Sequence, residues 1–176
     1  MFPSKTVSEI ISKLESLLYI LRGASMHQFI QVQSREQAGR FCAMRGLSPL
    51  NPETLARHQA DAHWMVSDEA GEIAARCSLW WTVTPPFPGE RLGLIGHYAV
   101  LSASAASAIL QHACEQMAER GSTLAIGPMD GNTWQRYRLL TERGHESIFF
   151  LEPDNPDDWP AHFYENGFAD LAHYSS

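Results

Sequence analysis

The sequence predicts an α/β fold of the mixed-sheet, α+β kind: one domain over residues 26–176, preceded by a helical extension over 1–25. Three observations carry this expectation. Strand-like and helix-like patterns alternate through most of the chain. An apolar strand, a long helix and a second apolar strand follow one another near residues 91–128, an order that requires a crossover and local parallel pairing. A chain of 176 residues with 44% hydrophobic content is long enough to bury one ordinary core.

In the extension, Ile10, Ile11, Leu14, Leu17, Leu18 and Leu21 recur at helical spacing. Ser8 and Glu9 stand near the start of this helix and Gly23 after it as a stop. It is too short and too charged to cross a bilayer, and its polar face is poor in lysine, so no stable membrane association is expected. Packing on the domain or on a second copy is the plainer role.

The domain begins with MHQFIQVQS as a strand and REQAGRFCAMRG as a helix ended by Gly46. Asn51 is a good N-cap, Pro52 suits the first helical position and Glu53 follows, so PETLARHQADAHW reads as a second helix. HWMVSD, a turn at Gly71 and IAARCSLWWTVT read as adjacent antiparallel strands, rich in β-branched and aromatic residues. PPFPGE, residues 85–90, is a stiff connection to the strand RLGLIGHYAV. The next segment turns Ala106, Ile109, Leu110, Ala113 and Met117 to one helical face, and Gly121 closes it. STLAIGPM is a buried strand; Gly127, Pro128, Asp130 and Gly131 make a strand exit and tight turn, with Asn132 capping a helix from about Thr133. The polar loop LEPDNPDDWP leads to a last helix, and ADLAHYSS leaves room for one strand only.

Charge and cysteines narrow the function classes. A formal net charge of -7, from 20 acidic against 13 basic residues, repels a phosphate backbone on average, so nucleic acid is not an expected partner. An anion can still bind where a helix start offers free N–H groups, whatever the sign of the whole surface. Cys42, Cys77 and Cys114 form no paired framework and lack metal-site spacing, and no cleavable signal precedes the domain, which points to a reducing, cytoplasmic compartment. The histidines and acids likewise show no metal-ligand spacing, so no metal is expected.

The succession of strand, two helices, three antiparallel strands, long helix, strand and C-terminal helix is similar to the GNAT superfamily of N-acyltransferases. The pieces that carry the resemblance are Ala99–Val100 with the helix after them, GPMDGNTW at 127–134, FFLEP at 149–153 and FYENGF at 163–168. The resemblance implies a GNAT-like acyl-CoA N-acyltransferase fold with an additional N-terminal helix and a shortened C-terminus. It implies acetyl-CoA or another acyl-CoA as cofactor, and a small-molecule amine or a peptide amine as acceptor. Its cofactor arm would lie along Tyr98, Ala99 and Val100, and its pyrophosphate on Ser102, Ala103, Ser104, Ala105 and Ala106.

Two departures bear on chemistry. The loop LSASAAS has neither the arginine nor the closely spaced glycines usual in that family, and Ser102 and Ser104 are also ordinary helix caps. In FYENGF the family's tyrosine register holds Phe163, with Tyr164 one place nearer Gly167; one helical position rotates a side chain by about 100°. Tyr164 is therefore either the acid that protonates a departing thiolate or a packing or interface tyrosine. His97 is either the base that takes the amine proton or a satisfied strand histidine. Trp134, Tyr137 and Arg138 either line an acceptor pocket or pack beneath the segment that bears them. The leading expectation is acyl transfer to an amine. The alternative is a catalytically degenerate domain of the same fold that binds a small ligand or a protein. The short C-terminus leaves a sheet edge to be covered by another element or by a second copy in a homodimer.

Overall fold

In the computed structural model, which describes residues 3–6, 27–47, 49–142 and 154–174, the alternating patterns become one twisted sheet with helices packed on it. The elements in chain order are β1 (Pro3–Thr6), β2 (Gln28–Gln31), α1 (Arg35–Cys42), α2 (Pro52–Arg57), β3 (Ala62–Ser67), β4 (Ile73–Trp80), β5 (Leu92–Val100), α3 (Ala103–Glu119), β6 (Leu124–Ile126), α4 (Trp159–Glu165) and β7 (Ala169–Asp170). Among the described residues the sheet has seven strands, in the order β2-β3-β4-β5-β6-β1-β7.

Local chemistry sets the helix starts. Ser34 and Gln37 close a reciprocal capping box on α1, and the Asn51 side chain accepts from Glu53 N at the head of α2, with Pro52 in the first turn. The long helix α3 starts on Ser102, whose hydroxyl accepts from Ala105 N. Its predicted apolar face is the one buried: Ala106, Ile109, Ala113 and Met117 are fully inaccessible and lie in one cluster with Cys77, Leu79 and Ile95 of β4 and β5.

The sheet divides into two halves of different character. From β2 to β5 neighbouring strands are antiparallel, with β4 shifting register against β5 between Arg76 and Ser78. The α3 crossover then delivers β6 parallel to β5, as the sequence order requires, over only three pairs from Leu92↔Leu124 to Leu94↔Ile126. Beyond Leu94 no strand pairs with that edge of β5 among the described residues.

Two expectations change, and two fall outside the described residues. Pro3–Thr6, assigned to the N-terminal extension, is a strand of the domain's own sheet: it lies antiparallel between β6 and β7, pairing Lys5 with Ala125 and Ser4 with Ala169. The short polar segment PSKT has no periodicity to announce a strand; its pairing is imposed by the edge of β6. The helix read from Ile10 to Leu21 and the FFLEP piece lie outside the described residues. The helix expected from about Thr133 does not form. Asn132 Oδ1 does accept from Trp134 N, but the chain folds back on itself, with Asp130 N bonded to Arg136 O, Arg138 N to Pro128 O and a bridge between Met129 and Tyr137. An Asx turn satisfied the same donor that a helix cap would have used, and the return to β5 took the backbone groups a helix needed.

Candidate functional site

The site lies where β5 leaves β6. Two glycines let the chain crowd there: Gly96 on β5 faces the backbone of the 127–131 turn so closely that a Cβ would stand 2.8 Å from Asp130 Cα, and Gly131, at φ 89°, passes under the Trp80 ring. Met129 N bonds to Ile95 O, and the Asp130 carboxylate then reaches the His97 backbone N–H at 2.6 Å through Oδ1. His97 sits on the register shift with φ 45°, a left-handed conformation held in place by Asp130 on one side and β4 on the other.

This bulge threads a line of polar side chains through the sheet. His58 Nδ1 contacts His97 Nε2 at 2.9 Å, His97 Nδ1 contacts Ser78 Oγ at 2.8 Å, and Ser78 Oγ contacts His63 Nδ1 at 2.7 Å. Asp130 Oδ2 stands 3.7 Å from His97 Nε2. Burial, then the neighbouring His58, His63 and Arg76, hold the His97 pKa down to about 3, so the ring is neutral near neutral pH. Burial also lowers His58 and His63. With neutral rings two proton orders satisfy the line, one the reverse of the other, so a proton entering at one end can leave at the other when every member switches. Asp130 favours the order that puts the proton on His97 Nε2. Its own pKa is pushed up to about 6 by burial, against the lowering effect of the His97 N–H, Arg136 and Arg76.

Two adjoining cavities open beside this group. The larger, about 470 Å³, is lined by Gly46 and Leu47 after α1, Arg76 of β4, Tyr98 and Ala99 of β5, Arg136, and the 154–159 segment. The smaller, about 60 Å³, reaches His97 and Asp130. Arg76, Tyr98, Arg136, Asn155 and Trp159 line both.

The sequence-derived residues divide around these cavities. His97 and Arg138 line the smaller cavity, Tyr98 both, and Ala99 the larger. Val100 is buried beside them, and since Leu101 N bonds to Ala74 O across β4, strand alternation turns the Val100 N–H to the unpaired edge. Ser102, Ala103 and Ser104 form the exposed start of α3, whereas Ala105 and Ala106 are buried in the core. Tyr164 is 40% exposed, its hydroxyl donates to Asp170 Oδ1 at 2.7 Å, and it lines neither cavity. Trp134 is 93% exposed, and Tyr137 packs against the Trp80 and Leu92 cluster with the Arg138 guanidinium over its ring.

Asp130, Arg76, His58, Ser78 and His63 were not singled out from sequence. Asp130 stood in the right motif but read as a turn former; the others are separated by long intervals that only the sheet register closes. His58, His97 and Asp130 bring donor atoms within 4.8 Å of one another, a constellation that could hold a divalent cation and that no linear spacing shows. The hydrogen bonds above already partner one ring nitrogen of His58 and both of His97 without one.

No family model matches the chain, and no curated protein sequence does. Solved structures do. L-PGS from Bacillus licheniformis aligns at 15% identity with a TM-score of 0.48, over 73% of this chain and 46% of that one. A putative acetyl transferase from Pyrococcus furiosus aligns at 13% identity and TM-score 0.45, over 86% and 98%. A GCN5-related glucosamine N-acetyltransferase region of a fungal multi-domain GH3 beta-N-acetylglucosaminidase aligns at 16% identity and TM-score 0.38, over 56% of this chain and 13% of that one. The chain thus spans less than half the length of the first and third of these proteins. Among the described residues no helix is long and apolar enough to cross a membrane.

Proposed function

We propose that the chain is an N-acyltransferase that moves a short acyl group from acyl-CoA to an amine. The observation that carries this reading is the buried Asp130 and His97 pair, set beside a cavity where, among the described residues, one edge of β5 has no strand neighbour. The residues present fit an extended thioester with an anionic end. The Val100 N–H faces the open edge, small residues Ser102, Ala103 and Ser104 leave the exposed N-terminus of a 17-residue helix accessible, and the larger cavity reaches Ala99, the residue before Val100. The cofactor supplies an acyl thioester; this chain supplies position and proton management.

Asp130 Oδ2 takes the proton of the attacking ammonium or amine. Its raised pKa keeps it basic enough for that task and ionised at neutral pH. When His97 Nε2 carries no proton it can take this one from Asp130, while the proton on Nδ1 moves on through Ser78 to His63. A departing thiolate would need a proton, and the Tyr98 hydroxyl, beside both cavities, is the group we assign to give it. Burial holds its pKa well above the ordinary phenol value, so the hydroxyl stays protonated, and it pairs with His162 Nδ1 at 3.4 Å while His162 Nε2 faces the exposed Asp158 at 3.6 Å. The Tyr98 ring packs on Phe163, centroid to centroid 4.9 Å, so a hydroxyl is present beside the position where FYENGF carries none.

Release of free thiol from acetyl-CoA in the presence of an amine panel tests the reading, and saturable binding of desulfo-CoA without turnover by any amine would replace it with the ligand-binding alternative. That alternative is favoured by one feature, the lack of any arginine or lysine in the LSASAAS segment. Tyr98→Phe is expected to lower kcat about 10²-fold with cofactor affinity unchanged, measured by thiol release and calorimetry. Tyr164→Phe is expected to change either quantity by less than about twofold, because its hydroxyl is engaged with Asp170.

A further inference from the structure

Arg76 is a buried cation without an acidic partner. It is 4% exposed, and one of its terminal nitrogens donates to the carbonyls of Phe41 and Cys42 at the end of α1. Its Nε is buried and meets no acceptor, and among the described residues no carboxylate forms an ion pair with it. Asp130, the nearest acid to act on it, already accepts from His97. Two neutral carbonyls compensate a guanidinium poorly in a low-dielectric interior, where removing a charge from water costs several kcal/mol. Arg76 lines both cavities.

The surroundings reinforce the sign. Arg136 lines the same two cavities and donates to Asp154 O at 3.4 Å, and Arg138 lines the smaller. Asp154 and Asp157 also line the larger cavity, at exposed positions, whereas Arg76 is buried. Desolvation is strong enough to bring the Arg76 pKa down to about 10, which leaves it fully charged near neutral pH.

We infer that the cavity binds the anionic group of its amine substrate, a carboxylate or a phosphate monoester, on Arg76 with Arg136 beside it. The inference deepens the acyl-transfer reading and rests on it only for the word substrate: the anion site itself is a property of the cavity. The planar fork of a guanidinium suits both chemistries, since each offers two oxygens in one plane. With the anionic end on Arg76, the amine end of a short molecule faces Asp130 in the smaller cavity.

The test needs no acyl donor. Trp159 lines both cavities, so its fluorescence reports occupancy. The whole chain is titrated with β-alanine, O-phosphoethanolamine and ethanolamine, three small amines that carry a carboxylate, a phosphate and a neutral hydroxyl. At least one of the first two is expected to bind about tenfold or more tightly than ethanolamine, the size of one charge-assisted pair, and which of them does so identifies the anion. Arg76→Gln is expected to remove that preference and leave ethanolamine binding as it was. Should that variant fail to fold, Arg136→Gln, at an exposed position, is expected to weaken the preference at least threefold. Equal binding of all three amines to the wild-type chain, or a preference that survives Arg76→Gln, would overturn the inference. An anion preference without thiol release from acetyl-CoA would sustain this site and sink the acyl-transfer reading alone.

Discussion

Asp130→Asn lowers kcat by about 10²- to 10⁴-fold, the range for loss of a positioned general base, and leaves the fold in place. The substitution is well matched to the geometry. An amide oxygen at the same position still accepts from the His97 backbone N–H, which holds the bulge at its left-handed conformation, whereas the amide cannot take a proton from the substrate. The pH profile of the wild-type chain provides the second readout. A base acts in its deprotonated form, so the Asp130 pKa of about 6 places an acidic limb there: activity falls below pH 6 and is restored above it. An unperturbed aspartate would place that limb near pH 4. His97, titrating near 3, is neutral throughout, and Arg76 keeps its charge, so neither produces the limb; burial lowers His58 and His63 below the ordinary histidine range. Single-turnover rates of the two proteins between pH 4.5 and 8 check both points. A limb at pH 6 that persists in Asp130→Asn would assign it to another group.

Gly96→Ala destabilises the chain by about 3 kcal/mol or more and disables the site with it. The added methyl meets the backbone of Met129 and Asp130 rather than the end of a flexible side chain, so one of two packed segments has to move. Movement of the turn withdraws Asp130 from the His97 N–H and carries with it the Met129 bond to Ile95. For a domain of this size the loss corresponds to a fall in Tm on the order of 10 °C, measurable by calorimetry. Gly93→Ala is the instructive comparison. Its methyl would meet the Met117 side chain, which can swing away, so a smaller loss and an intact site are expected. Equal losses from the two substitutions would show that the turn adapts.

The parts of this architecture that could be read from sequence are those set by local periodicity. Leu110 and Met117 announced the buried face of α3, Asn51 and Pro52 the start of α2, and the strand-helix-strand order the parallel pairing of β5 with β6. The site was legible only where it coincided with such an element, as at His97 and Tyr98. Arg76 is a charged residue within an otherwise largely apolar strand, and nothing near it in sequence says that α1 will offer it two carbonyls. Asp130 had the composition of a turn and fulfils that role as well as reaching β5. The Thr133 helix failed for a related reason: Asn132 satisfies the same N–H in an Asx turn as in a helix cap, and the pairing of 136–138 with 128–130 decides between them.

The placement of β1 bears on how this chain is made. Lys5 lies against Ala125 and Ser4 against both Ile126 and Ala169, so the part of the sheet formed by β6, β1 and β7 joins segments more than a hundred residues apart in the sequence. While the chain emerges, β1 has no edge to join until β6 has been translated, and β7 has none until β1 is seated. The antiparallel half from β2 to β5 has short-range partners and can assemble first. β1, which precedes the other six strands in the sequence, is therefore among the last of them to be hydrogen-bonded, and until then β6 exposes an edge open to any other extended segment.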